Sequence, residues 1–227
     1  MGGVGFLMGC RSMKTTILAL DPKKVGSKDI RSILRVLQRG GLIVFPTDTF
    51  YGLGGDGLSR TVIRRVYDLK SRQTVKPLLV LVSDLDMVRR FARDIPAVFW
   101  KIAEEFWPGP LTIALKASTA VPGELCGGGD SLAMRLPAVA WLRDLVEKAG
   151  VPLIATSANI SGKKEIIAAE DALEIFSGKV DLIIDGGAAP AGTPSTVLDL
   201  TVEPPRIRRP GAVPEEKLKK YLAETWL

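Results

Sequence analysis

Short apolar runs alternate with amphipathic stretches along the whole chain, and that alternation restricts it to the α/β folds. Thr15–Leu20, Leu42–Phe45, Leu78–Val82, Leu111–Leu115, Leu132–Met134, Leu153–Ala155, Leu182–Ile184 and Thr196–Leu200 read as strands, with Arg206–Arg208 extending the sheet. Helical spacing covers Ser27–Arg39, Thr61–Leu69, Leu85–Arg93, Ala97–Phe106, Val139–Ala149, Ala169–Phe176 and Glu215–Glu224. In the first of these, Ile30, Ile33, Leu34 and Leu37 share a face, Ser27 is placed to cap the start, and Gly40-Gly41 stops it. Pro46 is expected to break the second strand. The architecture predicted is one domain with a twisted, mixed, open sheet, helices packed on it and a basic central cavity. The short strand pair near the C-terminus suits a hairpin.

At 227 residues, 46% hydrophobic and 25% charged, the chain can bury a core without covalent staples. It contains no His and only two Cys, Cys10 and Cys126, which removes the usual ligands of a protein-held transition metal. Any metal is expected to be Mg²⁺ arriving with phosphates. Cys126 has no His to activate it and reads as an inert thiol. No apolar run reaches the roughly 18 residues a membrane span needs, so no membrane partner is expected and the cytoplasm is the expected location. Residues 1–12 read as a disordered leader, with the domain running over 13–227.

The net charge of +6 favours anionic partners, and its distribution says more than its total. Between Arg60 and Lys76 stand six basic residues against one acid, Asp68. Lys70, Arg72 and Lys76 fall just before an apolar strand. Lys70 and Arg72 end a helix, where cations also favour the dipole; the guanidinium fork and compact ammonium equally suit phosphate or carboxylate.

Three further segments place polar groups beside buried strands, where α/β domains build their sites. Pro46–Gly54 carries Thr47, Thr49 and Tyr51, whose hydroxyls can meet a ligand. Thr156–Gly162 follows the strand ending at Ala155 and carries Ser157 and Asn159. Ser and Asn also populate ordinary turns, so this element is weak alone. Ser195-Thr196 precedes a strand, and Arg208-Arg209-Pro210-Gly211 follows one. Arg135 ends another. There is no Walker A sequence, no Gly-x-Gly-x-x-Gly opening a helix, and no His for a hydrolytic triad.

Together these segments resemble the YrdC-like threonylcarbamoyl-AMP synthase family. The resemblance is carried by PTDTFYGLGGD (46–56), LKSR (69–72) with KPL (76–78), WPGPLT (107–112), MRLP (134–137), TSANISG (156–162), STVLDL (195–200) and RRPGA (208–212). It implies a nucleotidyltransferase that makes threonylcarbamoyl-AMP and pyrophosphate from L-threonine, bicarbonate and ATP. A separate transferase then modifies a tRNA adenosine. It further implies that Lys70, Arg72, Lys76, Ser131, Ser157, Asn159 and Arg209 hold ATP, with Ala155 presenting backbone groups. Lys70 and Arg72 would neutralise charge at the reacting phosphate. Thr47 or Thr49, Tyr51, Arg135 and Ser195 would hold threonine, with Arg135 on its carboxylate.

Two positions depart from the family pattern. Leu81 stands where several relatives carry His, and Glu165 lies near where many carry Ser or Thr. The absence of acylphosphatase-like and zinc-finger segments argues against the related hydrogenase-maturation carbamoyltransferases. A reading from another class is a nucleic-acid-binding module that holds double-stranded RNA or tRNA in the same basic cavity.

Overall fold

A computed structural model describes residues 14–71, 76–160, 164–190 and 192–223. The expected leader (1–12) and Arg72 lie outside the described residues. The elements begin with β1 (Thr16–Ala19), α1 (Ser27–Gln38), β2 (Ile43–Pro46), β3 (Tyr51–Gly54), α2 (Arg60–Leu69) and β4 (Leu79–Leu81). Next come α3 (Leu85–Phe91), β5 (Ala92–Arg93), α4 (Ala97–Phe106), β6 (Leu111–Ala117), β7 (Ser131–Arg135) and α5 (Ala140–Ala149). The series continues with β8 (Leu153–Ile154), β9 (Thr156–Ser157), α6 (Ala169–Phe176), β10 (Leu182–Asp185), β11 (Thr196–Asp199), β12 (Arg206–Arg209) and α7 (Glu215–Ala223).

The apolar spacing of each helix becomes a buried face. Ile30, Ile33 and Leu37 of α1 are buried, as are Val62, Ile63, Val66 and Tyr67 of α2. Ser59 caps α2 by accepting from the Val62 amide at 3.4 Å, and Asp84 caps α3 by accepting from Met87 at 2.7 Å. For α1 the expected cap shifts by one residue. Gly26 occupies the position, and Asp29 reaches back to accept its amide at 3.0 Å, so Ser27 becomes the first helical residue.

The expected mixed sheet is present, divided in two. One sheet runs β1-β10-β2-β3-β9, with β1, β10 and β2 parallel and the rest antiparallel. The other runs β12-β11-β6-β7-β4-β8, with β5 added at β6. The predicted hairpin is β11–β12. The division falls at Ala155. What reads as one strand over Leu153–Ala155 is β8, which pairs with β4, followed one residue later by β9, which pairs with β3.

The sheets can touch at this point because Gly54 has no side chain: a Cβ there would lie 1.6 Å from the Ile154 carbonyl oxygen. The same requirement hid β3 from a reading of the sequence. Tyr51 and Leu53 are fully buried on one face, while Gly52 and Gly54 face the Phe45 ring and the Ile154 backbone. The segment Pro46–Gly54 is therefore a β2–β3 hairpin rather than a continuous polar loop. Pro46 ends β2 instead of breaking it, paired with Tyr51.

Glu105 is exposed on α4, where it bonds Lys220 at 2.7 Å and also Tyr221, tying α7 to α4. Among the described residues no helix is long and apolar enough to cross a membrane.

Candidate functional site

Alternate residues of the second sheet form the floor of a cavity of about 820 Å³. Leu79 and Leu81 of β4 stand beside Ala133 and Arg135 of β7 in direct register, and Thr112 of β6 stands beside Val197 of β11. The β2–β3 hairpin supplies one wall through Thr47, Thr49, Phe50, Tyr51 and Gly52. Ala155, Thr156 and Ser157 complete that side, and Lys76, Glu165, Ser195, Arg208 and Arg209 also line the space. Among the described residues, four of the lining are cationic (Lys76, Arg135, Arg208, Arg209) and one, Glu165, is anionic, which suits a polyanionic ligand.

Lys70 meets Ser157 and Asn159 in space. It caps the C-terminus of α2, and its side chain is 3% exposed. Its ammonium donates to the Ser157 carbonyl (2.7 Å), the Asn159 carbonyl (2.8 Å) and Asn159 Oδ1 (2.7 Å), with Ser157 Oγ at 3.4 Å. Ser157 Oγ in turn donates to Asn159 Oδ1 at 2.8 Å. An ammonium has three N–H bonds, so these acceptors take them all. Lys70 thus holds the 157–159 turn from beneath. Ser157 lines the cavity; Lys70 and Asn159 do not. Ser131 lies on the same face of β7 as Ala133 and Arg135 but outside the lining.

Arg135 is gripped on three sides, with only 5% of its side chain exposed. Its Nε donates to the Gly109 carbonyl at 3.0 Å and Nη1 to Thr49 Oγ1 at 3.3 Å. Asp48 Oδ1 lies 2.5 Å from Nη2, an ion contact without hydrogen-bond alignment. A guanidinium this buried needs a counter-charge, and Asp48 is it. Thr47 organises the same turn: its hydroxyl donates to the Phe50 carbonyl at 2.7 Å and accepts the Thr49 amide at 3.1 Å. The Tyr51 hydroxyl is engaged behind the wall, donating to the Gly187 carbonyl at 2.6 Å. Burial pushes its pKa up to about 12 despite the opposing bond from the Gly186 amide.

Opposite, Ser195 is 4% exposed and its Oγ shares a 2.9 Å hydrogen bond with Thr112 Oγ1. Arg209 donates to the Ser195 carbonyl (2.8 and 3.2 Å) and Oγ (3.1 Å). Desolvation lowers the Arg209 pKa, Glu165 opposes that and Arg135 adds to it, so the three charges share one field. Arg209 stays protonated all the same. Its neighbour Arg208 is paired with Asp199 at 2.8 and 2.9 Å. Burial alone would raise the Asp199 pKa, but hydrogen bonds from Thr201 and Arg208 outweigh it and hold the carboxyl below its usual range.

The structure therefore brings Thr47, Thr49, Tyr51, Lys76, Arg135, Ala155, Ser157, Ser195 and Arg209 to one cavity, with Lys70 and Asn159 supporting it from below. Both departures from the family pattern, Leu81 and Glu165, line the same space. Residues of the site that went unassigned in the sequence include Thr112, which orients Ser195, Arg208, which adds a cation to the lining, and Asp48, which balances Arg135. The signal for Asp48 was present, since an arginine at the end of a buried strand requires an acid. Buried Cys126 has its thiol raised to about 11, by burial first and Asp130 second, and is no nucleophile.

The same fold recurs in known proteins. The family model for Sua5, YciO and YrdC proteins, described as telomere recombination, matches residues 35–211. A threonylcarbamoyl-AMP synthase of Pyrococcus abyssi is 38% identical over 209 residues, covering 92% of this chain and 62% of the relative. One of Bacillus subtilis is 29% identical over 203 residues, covering 89% and 59%. The chain thus spans about three-fifths of the length of these curated relatives. Among solved structures, P. abyssi Sua5 complexed with L-threonine superposes with a TM-score of 0.88 at 38% identity, over 92% of this chain and 62% of that one. E. coli YciO superposes with a TM-score of 0.81 at 26% identity, over 87% and 96%. The chain belongs to the Sua5/YciO/YrdC family.

Proposed function

We propose that this chain is an L-threonylcarbamoyladenylate synthase, with residues 13–227 as its catalytic domain. It takes L-threonine, bicarbonate and ATP with its Mg²⁺, and releases pyrophosphate and threonylcarbamoyl-AMP. The product passes to a separate transferase acting on tRNA, in the cytoplasm. The observation that carries this reading is one cavity of about 820 Å³ with an oriented arginine, Arg135, on its floor and further cations at Lys76, Arg208 and Arg209. That is room and charge for a nucleotide beside an amino acid. The names and L-threonine complex of the relatives support the same reading over RNA binding in the cavity.

In this reading Arg135 receives the threonine carboxylate, which competes with Asp48 for the guanidinium. Thr49 and Ser195 flank the amino acid, while Thr47 and Tyr51 hold the wall in shape. Arg209, Lys76 and Arg72 neutralise the phosphates. Ser157 contacts the nucleotide from a turn that Lys70 and Asn159 keep rigid, and Ala155 offers its backbone. Ser131 continues the nucleotide side along β7. The neutral threonine amine attacks the carbon of bicarbonate, a C–N bond forms as water leaves, and the resulting carbamate is already an anion. Its oxygen attacks the α-phosphorus, the bond to the bridging oxygen of the β-phosphate breaks, and pyrophosphate leaves. No general base is needed, so orientation and charge neutralisation suffice in a site without His. Incubation with threonine, bicarbonate and MgATP is expected to release pyrophosphate, and omission of threonine to abolish most of it. ATP turnover that ignores threonine would contradict the proposal.

A further inference from the structure

The backbone around Ser195 is held on both sides. The Thr196 amide donates to the Pro110 carbonyl at 3.1 Å, and the Ala212 amide donates to the Pro194 carbonyl at 2.9 Å. Gly211 packs against the same peptide, where a Cβ would lie 2.5 Å from the Ser195 carbonyl carbon. With the backbone fixed, the freedom left to Ser195 is the direction of its hydroxyl proton.

The neighbouring donors fix that direction. A hydroxyl has one proton and two acceptor sites. Arg209 stays charged, so its Nη2 can only donate, and at 3.1 Å it fills one acceptor site of Ser195 Oγ. Across the 2.9 Å contact with Thr112 Oγ1, either oxygen could donate by distance alone. Thr112, however, has no exposed surface, and among the described residues Ser195 Oγ is the one acceptor its hydroxyl meets. A donor left unmet at that depth is costly. Thr112 therefore donates and fills the second site. Ser195 can accept nothing more, and its own proton has no acceptor among the described residues. Ser195 keeps 4% of its surface exposed and lines the main cavity together with both partners, so the proton is offered there.

We propose that Thr112 is a positioning residue that makes Ser195 a donor only, aimed at an acceptor oxygen of the bound amino acid. The inference rests on the synthase reading, in which Ser195 flanks that substrate. Calorimetric titration of the full chain with L-threonine tests it. Thr112→Val removes the hydroxyl and keeps the shape, and should weaken binding about tenfold, the contribution of one hydrogen bond. Thr112→Ser keeps the hydroxyl and loses a methyl, so it should bind within about twofold of wild type even as its Tm falls. A packing role would reverse that order. On a Ser195→Ala background, Thr112→Val should add less than about twofold, because it acts through the serine. Should Thr112→Val fail to fold, Thr112→Ala set against Thr112→Ser isolates the same hydroxyl. Wild-type affinity in Thr112→Val, or a loss that persists undiminished on the Ser195→Ala background, would overturn the inference and leave the synthase reading standing. A wild-type chain that does not bind L-threonine would overturn both.

Discussion

Lys70 and Arg209 both read in the sequence as phosphate ligands, and the fold treats them in opposite ways. Lys70 is almost fully buried and divides its three N–H bonds among Ser157 and Asn159. Arg209 leans on Ser195 through Nε and one terminal nitrogen, while its other terminal nitrogen has no partner among the described residues. One cation is part of the scaffold; the other is available to a ligand. Two residues of the same charge beside the same cavity therefore need different tests, one of stability and one of binding.

The largest effect is expected from Lys70→Ala. Two buried carbonyls and the Asn159 amide oxygen lose a charged donor, and hydrogen bonds to charged groups contribute about 1.5–3 kcal/mol each. Stability should fall by about 3 kcal/mol, lowering Tm by about 6–12 °C for a chain of this size, with pyrophosphate release lost. An unchanged melt with lost activity would erase the contrast, since Lys70 would then be acting on the ligand rather than on the turn. Arg209→Ala comes next: KM for ATP should rise about tenfold or more, the loss of one charge-assisted bond, while Tm stays within about 2 °C.

The smallest effect concerns Asp199, which anchors Arg208 beside Arg209. Its folded pKa lies below its unfolded value. The pair therefore contributes stability above the unfolded carboxyl pKa, near 4, and loses it as pH falls through the folded value. Thermal melts of Asp199→Asn should lie below wild type at neutral pH and converge with it in acid. A constant gap across the range would show that the contribution is packing rather than charge.

Much of this arrangement was legible in the residues. Helical faces and buried strands carry periods that survive any context, so α4 and α6 fall at the predicted positions, and the β11–β12 hairpin follows from its short spacing. The polar segments of the cavity were found because each follows or precedes an apolar run. What stayed hidden depends on neighbours distant in sequence. The glycines of β3 mimic a turn until Phe45 and Ile154 are seen pressing on them. Asp48 looks like a turn residue until Arg135, 87 positions away, arrives beside it. Lys70 carries no mark of burial, since only the folded turn at 157–159 can absorb its charge.

Gly54 belongs to no list of ligand contacts, yet it sets a dimension of the site. Because its bare Cα lets the Ile154 carbonyl approach, it fixes how far apart the two sheets stand where Ala155 passes between them. One sheet supplies the cavity floor and the other a wall, so that spacing is the gauge of the cavity. A methyl group at position 54 would act as a wedge driven into a hinge. The width offered to a ligand is decided by a residue that no ligand touches.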